Sequence, residues 1–175
     1  MSDFTITSRR VTADLGFIAA ETLTVRTPSG EVVERVAITH PGAVAIVPLD
    51  GDDVVLIRQY RSAIADWLLE IPAGKRDSAT EAPEVTAKRE LREELGVTSC
   101  TLEFLTSIVN APGYCDEVID IFVATDLVFG ADPSPDGDEE VFSQILRMPL
   151  TDARQACADG SIRDAKTIVG LSVLQ

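Results

Sequence analysis

At 175 residues, 45% hydrophobic and 25% charged, the chain has the make-up of one globular domain with a sizeable core, which excludes a disordered or collagen-like segment. Fifteen Lys and Arg against 29 Asp and Glu leave a net charge of −14, with no basic run longer than a pair such as Arg9-Arg10. That balance argues against nucleic-acid and anionic-membrane partners, and a phosphorylated substrate would have to be small and met by local cations or metal ions.

The chain opens on residues 1–12, which lack the apolar stretch of a secretory signal, and no later run approaches the ~18 apolar residues of a membrane span. A cytoplasmic protein is the expectation. Residues 1–40 read as strands: 21–26 alternates, Thr27-Pro28-Ser29-Gly30 is a turn signal, and 31–38 resumes the extended pattern. His40-Pro41-Gly42 punctuates the chain, and short apolar strands follow at 43–49 and 53–58. A helix is marked by Pro83 at its start, Gly96 just past its end, and Ala87, Leu91 and Leu95 recurring every four residues. Strands are expected at 101–109, 117–125 and 142–148, with an acidic Pro- and Gly-rich loop at 131–140. The tail, 151–175, reads as two short helices broken near Gly160. Cys100, Cys115 and Cys157 fit neither a disulfide framework nor a zinc pattern. The whole reads as one α/β domain with mixed strands, preceded by a β arm.

The informative helix carries Arg89-Glu90-Leu91-Arg92-Glu93-Glu94-Leu95-Gly96-Val97. At about 100° per residue, Glu90, Glu93 and Glu94 share an arc beside the apolar stripe. Like charges three and four residues apart repel, by a few tenths of a kcal/mol per pair when solvated. A hard divalent cation, which takes oxygen ligands, would turn that repulsion into attraction. Taken alone, the triplet suits a solvated helix face as well as a metal site.

The flanks separate the two. Upstream stands Leu69-Glu70-Ile71-Pro72-Ala73-Gly74, then six residues, then Glu81, then seven residues to Arg89. The span 74–97 resembles the Nudix box, G-x5-E-x7-R-E-U-x-E-E-x-G-U with U aliphatic, departing from it by one extra residue before Glu81. The resemblance implies a Nudix fold, an α/β/α sandwich with a mixed sheet over 41–175, behind an N-terminal antiparallel β arm at 1–40. It also implies metal-dependent hydrolysis of a nucleoside diphosphate linked to another moiety, with Mg²⁺ or Mn²⁺. Carried over by position, Glu90 and Glu94 would be the principal metal ligands, with Glu93 and the carbonyl of Ala73 as further ones. Glu81 and Arg89 would orient those ligands and the loop.

Two further stretches resemble the ADP-ribose pyrophosphatase branch. One is Ile57-Arg58-Gln59-Tyr60-Arg61 with Trp67-Leu68-Leu69-Glu70; the other is Pro112, 15 residues beyond Val97, followed by Gly113. Ala111 stands where the branch often has serine. The planar guanidinium fork suits a pyrophosphate, so Arg61 and then Arg58 are expected substrate contacts alongside Pro112 and Gly113. Trp67 fits core packing as well as ligand contact. In this branch the arm crosses to a second subunit, which implies a homodimer, and an aromatic from the arm stacks on adenine; Phe17 is the candidate. His40 is read as structural.

The attacking water also needs a proton acceptor. In this branch a loop glutamate outside the box approaches the metals, and here Glu140, then Glu139, are the candidates, with Glu93 as the alternative. The resemblance therefore implies hydrolysis of ADP-ribose to AMP and ribose 5-phosphate. The runner-up is another nucleotide sugar, such as GDP-mannose or UDP-glucose. A non-catalytic ADP-ribose-binding sensor would be expected to lose metal ligands, whereas this helix keeps all three glutamates.

Overall fold

A computed structural model describes residues 3–134 and 142–174. The chain divides into two units, Met1–Pro41 with Val109–Val118, and Gly42–Ile108 with Ile119–Gln175. The 109–118 segment belongs to the same unit as the arm.

In the first unit, β1 (Thr5–Asp14), β2 (Ala19–Arg26) and β3 (Val32–Thr39) form an antiparallel sheet in that order. The 27–30 turn is tight because Gly30 takes φ +90° and its N–H returns to the Thr27 carbonyl at 2.9 Å. Two register shifts, between Ile6 and Ser8 and between Val11 and Ala13, interrupt β1 along its pairing with β2. The 109–118 segment docks beside β3. Ile38 N–H donates to the Tyr114 carbonyl at 2.7 Å, and Asp116 N–H to the Ile38 carbonyl at 3.1 Å.

The second unit is built on a seven-stranded mixed sheet. Its main path runs β10 (Gln144–Pro149), β5 (Asp53–Arg61), β4 (Ala43–Asp50), β9 (Val118–Phe129), β8 (Val97–Val109), with β4 and β9 parallel. β4 and β5 pair only at their hairpin end, through Leu49↔Val54 and Asp50↔Asp53. Beyond that they part, and two short strands fill the fork: β6 (Asp66–Glu70) on β5 and β7 (Ala73–Lys75) on β4. The crossing between β6 and β7 is pinned where Ile46 N–H meets the Pro72 carbonyl at 2.9 Å.

Alternation along β4 divides the core between the two faces of the sheet. Val44 and Ile46 pack with Ala87, Leu91 and Leu95 of α1 (Pro83–Leu95), together with Phe122. Ala45 and Val47 pack on the other side with Ala153 of α2 (Leu150–Asp159) and Leu171 of α3 (Ala165–Val173). The result is the α/β/α sandwich with a mixed sheet that the resemblance implies. At Gly170 α3 lies so close to the sheet that a Cβ would stand 2.9 Å from Val47 Cγ2.

Gly160 breaks the tail between α2 and α3 in the left-handed conformation, φ 83°. Several strand boundaries move from the expected ones: β5 runs on to Arg61 and β9 to Phe129. β8 begins at Val97 because Gly96 turns the chain directly into the sheet, and β10 begins at Gln144, where pairing with Arg58 starts. The three cysteines carry free thiols. Among the described residues, no helix is long and apolar enough to cross a membrane.

Candidate active site

The site is organised by α1. Proline suits its first turn because no amide hydrogen is needed there, and Gly96 ends it at φ 71°, donating to the carbonyls of Arg92 and Leu91. The buried face consists of Thr86, Ala87, Glu90, Leu91, Glu94 and Leu95. Two glutamates four residues apart thus share the face that packs on the sheet, each only 7% exposed.

Both meet the backbone of the 73–74 junction. Ala73 N–H donates to Glu94 Oε2 at 3.1 Å. The Glu90 carboxylate lies against Gly74, where an added Cβ would stand 1.9 Å from Oε1. Glu90 also accepts from Arg89 Nη1 at 2.7 Å. The same Nη1 donates to Glu93 Oε2 at 3.1 Å, while Nη2 donates to the Lys75 carbonyl at 3.1 Å. Arg89 therefore ties the helix to β7. Partial burial works against its charge, but the carboxylates of Glu90, Asp77 and Glu93 outweigh it and raise its pKa.

Glu81 braces the loop before the helix. Its Oε2 accepts from Asp77 N–H at 2.7 Å, the contact that chiefly holds its carboxyl below the usual range. The extra residue between Gly74 and Glu81 is accommodated within this closed turn, where Arg76 Nη2 also donates to the Glu81 carbonyl.

Burying two carboxylates side by side is costly unless positive charge comes to them. Among the described residues, no three acidic, histidine or cysteine side chains converge as a ready-made cage. Glu93, with 29% of its side chain exposed, lies with Arg89. The donor set is nonetheless all oxygen and acidic, and the glycine leaves room for a carboxylate where any other residue would displace it. Those features fit a hard divalent cation and do not fit a soft one.

The expected substrate contacts distribute between the two units. In the second, Arg61 grips Glu70 with two hydrogen bonds, Nε to Oε1 at 2.8 Å and Nη2 to Oε2 at 2.6 Å. Arg58 lies over the Trp67 ring, 4.4 Å from its centroid, and Trp67 stands edge-on to Tyr60. In the first unit, Pro112 and Gly113 are exposed within the 109–118 segment, and Phe17 is 55% exposed. Phe17 packs edge-on against the His40 ring at 5.7 Å, and His40 Nε2 faces Glu117 Oε1 at 3.6 Å.

Glu139 and Glu140 lie outside the described residues. Earlier in the chain, Gly130 and Ala131 donate to the Gly96 carbonyl, and Ser134 N–H to the Glu93 carbonyl at 2.8 Å.

Glu70, its partner Lys166 on α3, and the neighbouring Asp164 and Thr167 were not picked out from the sequence. Glu70 is fully buried within the strand leading to the site. A charge inside the run Trp67-Leu68-Leu69-Glu70-Ile71, and a capping aspartate three before Thr167, were the available signals.

Comparison with known proteins identifies relatives. The family model for the NUDIX domain matches residues 39–169. A methanol dehydrogenase activator from Bacillus methanolicus is 36% identical over 152 residues, spanning 86% of this chain and 81% of that one. An ADP-ribose pyrophosphatase from Bacillus subtilis (strain 168) is 34% identical, with the same coverage of each chain. The crystal structure of an ADP compounds hydrolase superposes with a TM-score of 0.80 at 28% identity, covering 99% of this chain and 92% of that one.

Proposed function

The chain belongs to the Nudix hydrolase family, and on that premise we propose that it hydrolyses ADP-ribose to AMP and ribose 5-phosphate in a Mg²⁺-dependent reaction, with Mn²⁺ able to substitute. The observation that carries this reading is the pair Glu90 and Glu94, buried together against the backbone of Ala73 and Gly74. These two carboxylates and the Ala73 carbonyl would hold the cation, with Glu93 as an additional ligand. A bound divalent ion supplies Lewis acidity toward the phosphoryl oxygens and a more acidic water.

The remaining roles belong to the chain itself. Arg89 keeps the Glu90 and Glu93 carboxylates oriented and ties them to the 75 carbonyl. Arg61 and Arg58 meet the negative charge of the pyrophosphate; 37% of the Arg61 side chain is exposed, and Arg58 is held against an indole face. Phe17 offers an exposed ring for the adenine, and Pro112 and Gly113 shape the loop beside the sugar. Glu140, or Glu139 next to it, takes the proton from water; the bond from Ser134 N–H to the Glu93 carbonyl, earlier in the same sequence stretch, supports this choice. Two copies pair through the β arm, and each site draws on both. The names of the relatives support ADP-ribose as the substrate.

The test is AMP release from purified protein with Mg²⁺, comparing kcat/KM for ADP-ribose, GDP-mannose and UDP-glucose. ADP-ribose should rank first. No turnover with any divalent metal would refute the reading. Glu94→Gln should abolish turnover and leave the circular dichroism spectrum unchanged; surviving activity would show that the metal assignment is wrong.

A further inference from the structure

Glu70 ends β6, and its side chain is 1% exposed. Arg61 holds both of its oxygens, and Lys166 Nζ reaches Oε2 from α3. The same ammonium donates to Asp164 Oδ1 at 2.9 Å. Asp164 caps α3, its Oδ2 accepting from the Thr167 N–H at 3.0 Å and from the Thr167 hydroxyl at 2.6 Å. With its proton committed to Asp164, the buried Thr167 oxygen is left as an acceptor. Ile71 N–H donates to it at 2.9 Å.

α3 therefore grips two consecutive residues, Glu70 through charge and Ile71 through a directed hydrogen bond. Both lie at the fork where β6 gives way to β7. Two residues beyond Ile71, Ala73 N–H meets Glu94, and one residue further Gly74 receives the Glu90 carboxylate. Ala73 and Gly74 pair with Ala45 and Val44 of β4, and Pro72 accepts from Ile46, so Ile71 is the point at which α3 bears on the start of this paired segment and on both contacts.

We propose that Asp164, Lys166 and Thr167 are positioning residues for the cation site, setting through Glu70 and Ile71 where the 73–74 backbone meets Glu90 and Glu94. None of the three needs to touch the substrate. The proposal rests on the metal-dependent reading above; partners bonded directly to metal ligands typically change metal affinity or activity by about 10- to 100-fold, and these residues, acting one contact further out, are assigned the lower figure.

The test uses the full chain carrying Thr167→Val, which keeps the shape of the side chain and removes the acceptor. Mn²⁺ affinity is measured by water-proton relaxation, kcat and KM by AMP release across a Mg²⁺ series, and stability by thermal unfolding. Thr167→Val should weaken Mn²⁺ binding about tenfold and raise the Mg²⁺ concentration for half-maximal rate by a similar factor. KM for ADP-ribose at saturating Mg²⁺ should stay within about twofold, because Thr167 bonds to Ile71 and Asp164 and leaves the Arg61 pair with Glu70 in place. Thr167→Ser, which restores the hydroxyl, should recover most of the loss.

If Thr167→Val lowers the melting temperature but the folded protein binds Mn²⁺ and responds to Mg²⁺ as wild type does, the residue is structural only and the proposal is overturned. Should Thr167→Val fail to fold, Lys166→Met, which keeps the aliphatic stem, carries the same comparison. Wild-type protein that binds Mn²⁺ but releases no AMP would refute the ADP-ribose reading alone, and the Mn²⁺ comparison would still decide this one. Wild-type protein that binds no Mn²⁺ would overturn both.

Discussion

At the scale of single residues, two glycines in the box serve different ends. Gly96 takes a left-handed φ of 71°, and a Cβ there would also strike the Ala131 carbonyl at 2.2 Å. Gly74 has no positive φ; its requirement is proximity, since a Cβ would occupy the place of the Glu90 carboxylate. Gly74→Ala should therefore leave the unfolding midpoint nearly unchanged while lowering kcat at least tenfold, as Glu90 is pushed from its place. Unfolding in urea and steady-state kinetics on the same preparation check both halves. The base is a second question at this scale. A positioned general base contributes about 10² to 10⁴ in rate. Glu140→Gln and Glu139→Gln, assayed separately at saturating Mg²⁺, should show one large fall in kcat with modest change in KM. Near-wild-type kcat in both and in the double variant would move the base elsewhere, to Glu93.

At the scale of elements, α1 was legible because local signals agree: a proline at its start, a glycine after its end and an apolar residue every four positions. The tail helices and the strands of the arm were legible for similar local reasons. β6 and β7 were not. They have five and three residues, too few for a period, and exist because β4 and β5 part beyond their hairpin. The same non-local origin hid Glu70, whose partner Lys166 stands 96 residues later. Burial pushes the Glu70 carboxyl up, but the Arg61 hydrogen bonds and the Lys166 charge outweigh it and leave it below its ordinary value of 4.5. A depressed carboxylate contributes stability in full above the ordinary value, and that contribution disappears as pH falls through the lower folded value. Glu70→Gln breaks a buried pair and should cost about 3–5 kcal/mol at pH 7. Urea unfolding of both proteins from pH 7 downward should show the difference constant to about pH 5 and shrinking below 4.5. A difference that persists unchanged in acid would mean that Glu70 acts by packing and not by charge.

At the scale of the whole molecule, the arm poses the remaining problem. All ten residues of β1 are exposed, and β1 is an edge strand paired only with β2. Phe4, Ile6, Val11 on that side and Val36 on β3 are between 47% and 68% exposed. An exposed edge carrying apolar side chains is a template for pairing with another chain. A second copy is the partner our proposal gives it. Light scattering at micromolar concentration should report a dimer, and a monomer would refute the exchanged arm. Net charge makes the reading more specific. Two copies at −14 each repel, so screening by salt should tighten the dimer as ionic strength rises from about 0.05 to 0.5 M, with the Debye length falling from over 10 Å toward about 4 Å. An interface held mainly by ion pairs would show the opposite slope. Val11→Glu separates the interface from the fold of the single chain. On a solvent-exposed strand this change costs within about 0.5 kcal/mol, but at a buried contact it introduces an unpaired charge. The variant should dissociate at concentrations where wild type is dimeric, raising Kd at least tenfold, while the isolated chain keeps its circular dichroism. Loss of AMP release on dissociation, recovered at high protein concentration, would tie the arm to the site.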